Sequence, residues 1–233
     1  MESTIIQWNV RGIQSRYEEI QLICKQLKPS IVALQENLIR TDKICNLAGY
    51  NAIQHQALET ENGFTGGVSL YIHNSILFSP ITLETSLQAV AAKVSLHKTI
   101  TVCSFYLPPS SVITKQELLD LIDELPRPFL LLGDFNAHSI LWGSDNTSNR
   151  GRTVENVCME CDLNILNDGS PTYLHPASVT LSHIDLSVCD PSLVLDFEWR
   201  VHDDLCGSDH YPCLLYTSPS PRDLSTSRMP SSA

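Results

Sequence analysis

Apolar and polar positions along the chain sort it into short strands separated by a few helices. Ile5-Ile6-Gln7-Trp8-Asn9-Val10 is rich in β-formers and stops at Arg11-Gly12, which predicts a first strand with Asn9 near its end. From Tyr17 to Lys28, apolar Ile20, Ile23 and Leu27 stand opposite Glu18, Glu19 and Lys25, an amphipathic helix that Pro29 ends. Ile31-Val32-Ala33-Leu34-Gln35-Glu36 then reads as a second buried strand with a carboxylate at its end. After Gly49-Tyr50 come the runs 67–72, 89–96 and 99–106, with little helix between them, so antiparallel pairing is expected there. Lys115 to Leu125 carries Leu118, Leu119, Ile122 and Leu125 on one face and reads as a helix. Pro126 and Pro128 fence off the apolar run Phe129-Leu130-Leu131-Leu132, predicted to be a central buried strand. Beyond it the pattern predicts a helix over 153–161, a strand over 163–166, a turn at Pro171-Thr172-Tyr173 and a strand over 180–186.

Polar residues gather where these strands stop. Gly133 allows the backbone to turn after the central strand, so Asp134, Asn136 and His138 arrive close together. Such strand ends are where α/β folds usually place their chemistry, although Gly-Asp-x-Asn alone also describes an ordinary Asx turn. Glu36 repeats the pattern on the second strand and, with Asp134 and a third acid, becomes a candidate metal ligand. Tyr106 stands at the break made by Leu107-Pro108-Pro109 and reads as a half-buried tyrosine. Asn149-Arg150-Gly151-Arg152 reads as a compact loop whose guanidiniums are either solvated or suited to phosphate. The strand over 180–186 carries Ser182 and Asp185, and Gly207-Ser208-Asp209-His210 places an acid beside a histidine on a turn. That pair is open to three readings: acid and base, metal site, or plain loop.

Composition narrows the class. The 233 residues are 42% hydrophobic and 18% charged, which describes a globular chain of one domain or two small ones. No apolar run approaches the roughly 20 residues needed to span a bilayer, and the first residues lack a secretory signal pattern. The eight cysteines are scattered and expected to be reduced thiols. Cys158 and Cys161 form the one close pair, without a second pair at zinc spacing. A net charge of −11 argues against a polyanion binder working by bulk charge. It leaves room for a nuclease, because bound divalent cations can hold phosphate against a negative field. From Cys213 onward the chain reads Cys-Leu-Leu-Tyr-Thr-Ser-Pro-Ser-Pro-Arg-Asp and ends in a Ser-rich stretch, which resembles a translated sequencing adapter. Residues 213–233 are therefore expected to be a non-native tail, with a Ser/Pro-rich disordered segment as the alternative, and the domain is expected to span 1–212.

The ordered set Trp8-Asn9-Val10, Leu34-Gln35-Glu36, Tyr106-x-Pro-Pro, Gly133-Asp-Phe-Asn-Ala-His138, Ile184-Asp185-Leu186 and Ser208-Asp209-His210 resembles the endonuclease/exonuclease/phosphatase superfamily. The resemblance spans Thr4 to Pro212 and implies a four-layered α/β sandwich, two mixed β-sheets packed face to face with helices outside. Within that superfamily the chain is similar to the endonuclease domain of jockey-type non-LTR retrotransposons, through Leu141-Trp-Gly-Ser144, Asn149-Arg-Gly-Arg152 and Ser208-Asp-His-Tyr-Pro212. One departure is visible. The superfamily's abasic-site repair enzymes carry an Asp two residues after the Asn, where this chain has Arg11.

The resemblance implies in-line hydrolysis of a DNA phosphodiester to a 3′-hydroxyl that primes reverse transcription. Glu36, Asn9 and Asp209 would hold Mg²⁺, or Mn²⁺ in its place, since oxygen donors suit a hard cation. Asp134 would orient or deprotonate water, Asn136 and Tyr106 would bind phosphate oxygens, and His210 paired with Asp185 would add positive charge. Asn149, Arg150 and Arg152 are the candidate DNA contacts. The implied partners are DNA, a covalently linked reverse transcriptase domain and element RNA, acting in the nucleus and without a membrane. Two rivals accompany this reading: a phosphoesterase of the same fold acting on an inositol phosphate or lipid, and a catalytically dead DNA-binding remnant.

Overall fold

The computed structural model describes residues 3–40, 43–61 and 63–217. In its first half the strands are β1 (Thr4–Asn9), β2 (Ile31–Gln35), β3 (Tyr50–His55), β4 (Leu58–Thr60), β5 (Gly63–Thr65), β6 (Val68–His73), β7 (Phe78–Ile81), β8 (Gln88–Ser95) and β9 (Thr99–Tyr106). The second half adds β10 (Phe129–Asp134), β11 (Asn164–Ile165), β12 (Tyr173–His175), β13 (Thr180–Ser182), β14 (Asp185–Cys189), β15 (Phe197–Val201) and β16 (Cys213–Thr217). The helices are α1 (Tyr17–Leu27), α2 (Lys115–Asp123) and α3 (Asn149–Glu160).

Two mixed six-stranded sheets form the body, in the orders β15-β16-β1-β2-β6-β3 and β11-β14-β10-β9-β8-β7. One apolar cluster lies between the sheets, where Ile5, Ala33, Leu70 and Leu215 meet Val102, Leu130, Leu132 and Val90. A second packs α2 and α3 on the far face of the β10 sheet through Leu118, Leu121, Val154 and Val157. A third packs α1 on the far face of the β1 sheet through Ile20 and Ile23. This is the expected four-layered sandwich. Strands β2 and β10 are buried on both faces, which is why their sequences are continuously apolar rather than alternating.

Three elements differ from the sequence expectation. Asn149–Arg152 is the first turn of α3 rather than a loop, because the Ser148 side chain caps the Gly151 N–H at 3.0 Å. Gly151 does not break that turn. It lets the helix approach the His138 carbonyl, which a Cβ would meet at 1.9 Å. Tyr173, expected in a turn, is strand because Tyr173–His175 pairs with Thr180–Ser182 and bridges to His210. The single strand expected over 180–186 is two. Ser182 stays in that hairpin, while Asp185 starts β14 beside β10.

Cys213–Thr217, set outside the domain on sequence grounds, forms an inner strand between β15 and β1. Cys213, Leu214 and Leu215 are all buried there, an inner strand covered on both faces. Residues 218–233 of the suspected tail lie outside the described residues.

Candidate active site

The site sits where β1, β2, β9 and β10 end and β14 begins. Parallel pairing puts Asn9 opposite Gln35, with Glu36 next in the chain. In the other sheet, Asp134 stands opposite Tyr106 on one side and Asp185 on the other. Three of the expected residues thus share one rung.

A belt of buried polar side chains locks the two sheets together just below that rung. Gln7 Nε2 donates to the Gly133 carbonyl at 3.0 Å, and the Ser187 hydroxyl donates to Gln7 Oε1 at 2.6 Å. Gln35 Nε2 donates to Ser104 Oγ at 3.0 Å, and Trp199 Nε1 donates to Ser187 Oγ at 2.9 Å. Each of these bonds forms in a desolvated layer, where leaving a partner unsatisfied would be costly, so the belt fixes the sheet-to-sheet offset.

Above the belt the side chains converge. Asn9 Nδ2 donates to Asp134 Oδ2 at 2.9 Å and to Glu36 Oε1 at 3.1 Å, bridging the sheets. The Tyr106 hydroxyl donates to the same Glu36 Oε1 at 2.8 Å. Tyr106 is buried, not half-buried, and burial followed by the Glu36 and Asp134 charges raises its phenol far above the usual range. Glu36 has a left-handed backbone, φ +46°, which turns its carboxylate back over the sheet edge. Among the described residues, the hydrogen bonds to its carboxylate all go to Oε1, so Oε2 is the oxygen left for a cation. Asn136, also left-handed at φ +47°, donates its N–H to Asp134 Oδ1 at 2.9 Å and its Nδ2 to the Leu107 carbonyl. Its side-chain oxygen is the end left to work.

His210 is 4% exposed and donates Nδ1–H to Asp185 Oδ2 at 2.9 Å, which leaves Nε2 4.0 Å from Asp134 Oδ2. Burial pulls this imidazole down, but Asp185, by charge and hydrogen bond, and then Asp134 and Asp209, lift it to about 9. Burial, followed by the Asp185 charge, raises the Asp134 carboxyl as well. Trp8 Nε1 donates to the His210 carbonyl and Ser208 Oγ to the Asn9 carbonyl, so the last turn is riveted to the first strand. Asp134, Asp185 and His210 offer ligand atoms within 4.8 Å of one another, a donor set able to hold a cation. With Nδ1–H spent on Asp185, however, His210 is better arranged to carry a proton than to ligate.

Asp209 lies apart from Glu36 in bonding, paired with Arg11 at 2.5 Å. The Arg11 N–H likewise donates to the Asn9 side-chain oxygen at 3.1 Å. The three expected DNA contacts divide two and one. Asn149 and Arg152 are exposed on the first turn of α3. Arg150 is half-buried and donates to the carbonyls of Phe135, Asn136, Pro108, Pro109 and Ser111, clamping the Tyr106 and Asn136 loops together.

Arg11, Tyr173, His138 and His175 join Glu36, Asp134, Asn136, Asp209 and His210 around one open cavity of about 310 Å³. Tyr173 packs its ring on His210 with centroids 4.5 Å apart. Tyr173 and the polar belt were missed in the sequence because a tyrosine after a proline, or a glutamine within a strand, carries no local signal. Cys158 lies in the last turn of α3 and Cys161 caps its end.

A family model described as endonuclease-reverse transcriptase matches residues 100–214. A probable RNA-directed DNA polymerase from transposon BS of Drosophila melanogaster is 27% identical over 234 residues, 94% of this chain and 25% of that protein. The RNA-directed DNA polymerase from mobile element jockey of the same species is 25% identical over 218 residues, 92% of this chain and 24% of that protein. The chain spans about a quarter of the length of the curated relatives it matches. Among solved structures, the endonuclease domain of TRAS1, a telomere-specific non-LTR retrotransposon, superposes with a TM-score of 0.78 at 22% identity, covering 93% of this chain and 98% of that one. AP endonuclease LMAP from Leishmania major superposes with a TM-score of 0.72 at 13% identity, covering 94% of this chain and 88% of that one.

Proposed function

Because the chain belongs to the endonuclease/exonuclease/phosphatase superfamily, as a nuclease-type domain of a non-LTR retrotransposon, we propose that it nicks target DNA with the help of Mg²⁺. The observation that carries this reading is the Glu36–Asn9–Asp134 bridge, flanked by Tyr106 and His210, at the floor of an open cavity. Oxygen donors suit a hard divalent ion, and Glu36 Oε2 is the carboxylate oxygen free to hold one. When bound, such an ion supplies charge stabilisation to the phosphate and the leaving oxygen.

The chain's own groups do the rest. Asp134, held by Asn9 and the Asn136 N–H, accepts a proton from the attacking water. Protonated His210 presents Nε2–H where negative charge accumulates on the phosphate, and Asp185 keeps the proton on the ring. The Tyr106 hydroxyl fixes Glu36, and the Asn136 side chain orients the phosphate. Asn149 and Arg152, at the positive end of α3, contact the flanking backbone, while Arg150 holds the two site loops in place. In the complete element, a reverse transcriptase on the same polypeptide would extend the 3′-hydroxyl by copying element RNA in the nucleus.

Nicking of supercoiled plasmid tests this reading. Conversion to open circle is expected with Mg²⁺, and not with EDTA or in Glu36→Ala. A folded wild-type chain that leaves plasmid intact but releases phosphate from an inositol phosphate would move the substrate to that class. Metal-independent DNA binding without cleavage would make it a remnant.

A further inference from the structure

A guanidinium occupies one end of the cavity that its carboxylates would otherwise offer to cations. Arg11 Nη1 donates to Asp209 Oδ2 at 2.5 Å. Asp209 is 8% exposed and, among the described residues, its second oxygen, Oδ1, is buried without a partner, so Arg11 is the cation hydrogen-bonded to this carboxylate. The Arg11 side chain itself is 55% exposed and lines the same cavity as Glu36 and Asp134. Its backbone is held in place. Arg11 has φ +44° and Gly12 φ +103°, the Arg11 N–H donates to Asn9 Oδ1, and the Gly12 N–H donates to the Glu36 carbonyl at 2.7 Å. The turn that carries Arg11 is thus built onto the residues that serve the Glu36 end.

A guanidinium cannot shed its proton to make room for a second positive ion, and two cations a few ångströms apart repel strongly in a partly desolvated cavity. A guanidinium also has five donors, of which Asp209 uses few, and its fork matches phosphate oxygens. We infer that Arg11 is a resident cation that closes the Asp209 end of the site to metal. The domain therefore takes one divalent ion, at Glu36, and the free edge of Arg11 binds a non-bridging oxygen of the substrate phosphate. The phosphate contact rests on the nuclease reading, whereas the ion count does not.

Mn²⁺ titrated into the metal-free chain, with free ion counted by electron paramagnetic resonance, tests the first part. The wild type and Arg11→Lys are expected to bind one ion, and Arg11→Ala to bind a second at the uncovered Asp209. Two ions in the wild type, or one in a folded Arg11→Ala, would overturn the assignment. Should Arg11→Ala fail to fold, the wild-type and Arg11→Lys counts still decide it, since two ions in either contradict a closed Asp209 end. For the second part, KM for plasmid nicking is expected to rise about tenfold or more in Arg11→Ala, the loss of one charge-assisted contact. An unchanged KM would remove the phosphate contact while leaving the ion count standing. Absence of nicking in the wild type would reject the nuclease reading without touching that count.

Discussion

The proton on His210 can be followed directly, and Asp185→Asn is the perturbation that should release it. The imidazole is 4% exposed, with Nδ1 2.9 Å from Asp185 Oδ2 and Nε2 4.0 Å from Asp134 Oδ2. Burial alone would drive the proton off, but the surrounding carboxylates outweigh it and raise the group from 6.5 to about 9. Holding a proton over that interval corresponds to about 3 kcal/mol of native-state stabilisation. The sign follows from the folded value lying above the unfolded one. The contribution is complete below pH 6.5 and is lost as pH rises toward 9. Asp134, its carboxyl raised by burial and by Asp185 to about 8, also costs stability as it ionises with rising pH, so the total slope does not isolate His210. Nitrogen-15 NMR of the imidazole in the metal-free chain does. The wild-type ring should titrate near pH 9 and the Asp185→Asn ring at or below 6.5, with urea unfolding showing the corresponding loss of stability. A wild-type midpoint at 6.5 or lower would refute the pairing as the source of the charge.

Gly133→Ala places a Cβ 2.2 Å from the Phe105 carbonyl, inside a strand flanked by β9 and β14 that cannot yield, and should cost about 3 kcal/mol. Urea denaturation checks this, and a cost under about 1 kcal/mol would show that the sheets can part. Tyr106→Phe removes the hydroxyl that fixes Glu36 Oε1 and should slow plasmid nicking about tenfold or more with little change in melting temperature. An unchanged rate would mean that Glu36 holds its position without it.

Strand ends were the readable part of the site. Asn9, Glu36, Tyr106 and Asp134 each close an apolar run, and a strand that is buried along its length delivers its next polar residue to the sheet edge, whereas Asp185 opens β14 and reaches that edge because β14 runs antiparallel to β10. Elements whose identity depends on a distant partner were less readable. Asn149–Arg152 looks like loop until Ser148 is seen to cap it, and Tyr173 looks like turn until Thr180–Ser182 and His210 pair with it. Cys213–Thr217 shows the same dependence, since its place is set by antiparallel pairing with β1 on one side and β15 on the other.

Local sequence therefore determined most of the strands and the ordered motif set, because periodicity and turn chemistry act within a few residues, and the resemblance carried by those motifs implied the class of fold. Tertiary structure alone decided which polar groups meet. Gln7, Gln35, Ser104 and Ser187 set the offset between the sheets through bonds spanning up to 180 residues of chain. Arg11 finds Asp209 across 198 residues, and His210 finds Asp185 across 25. Charge pairing at such separations depends on where the strands stop in space, and spacing along the chain carries no record of it.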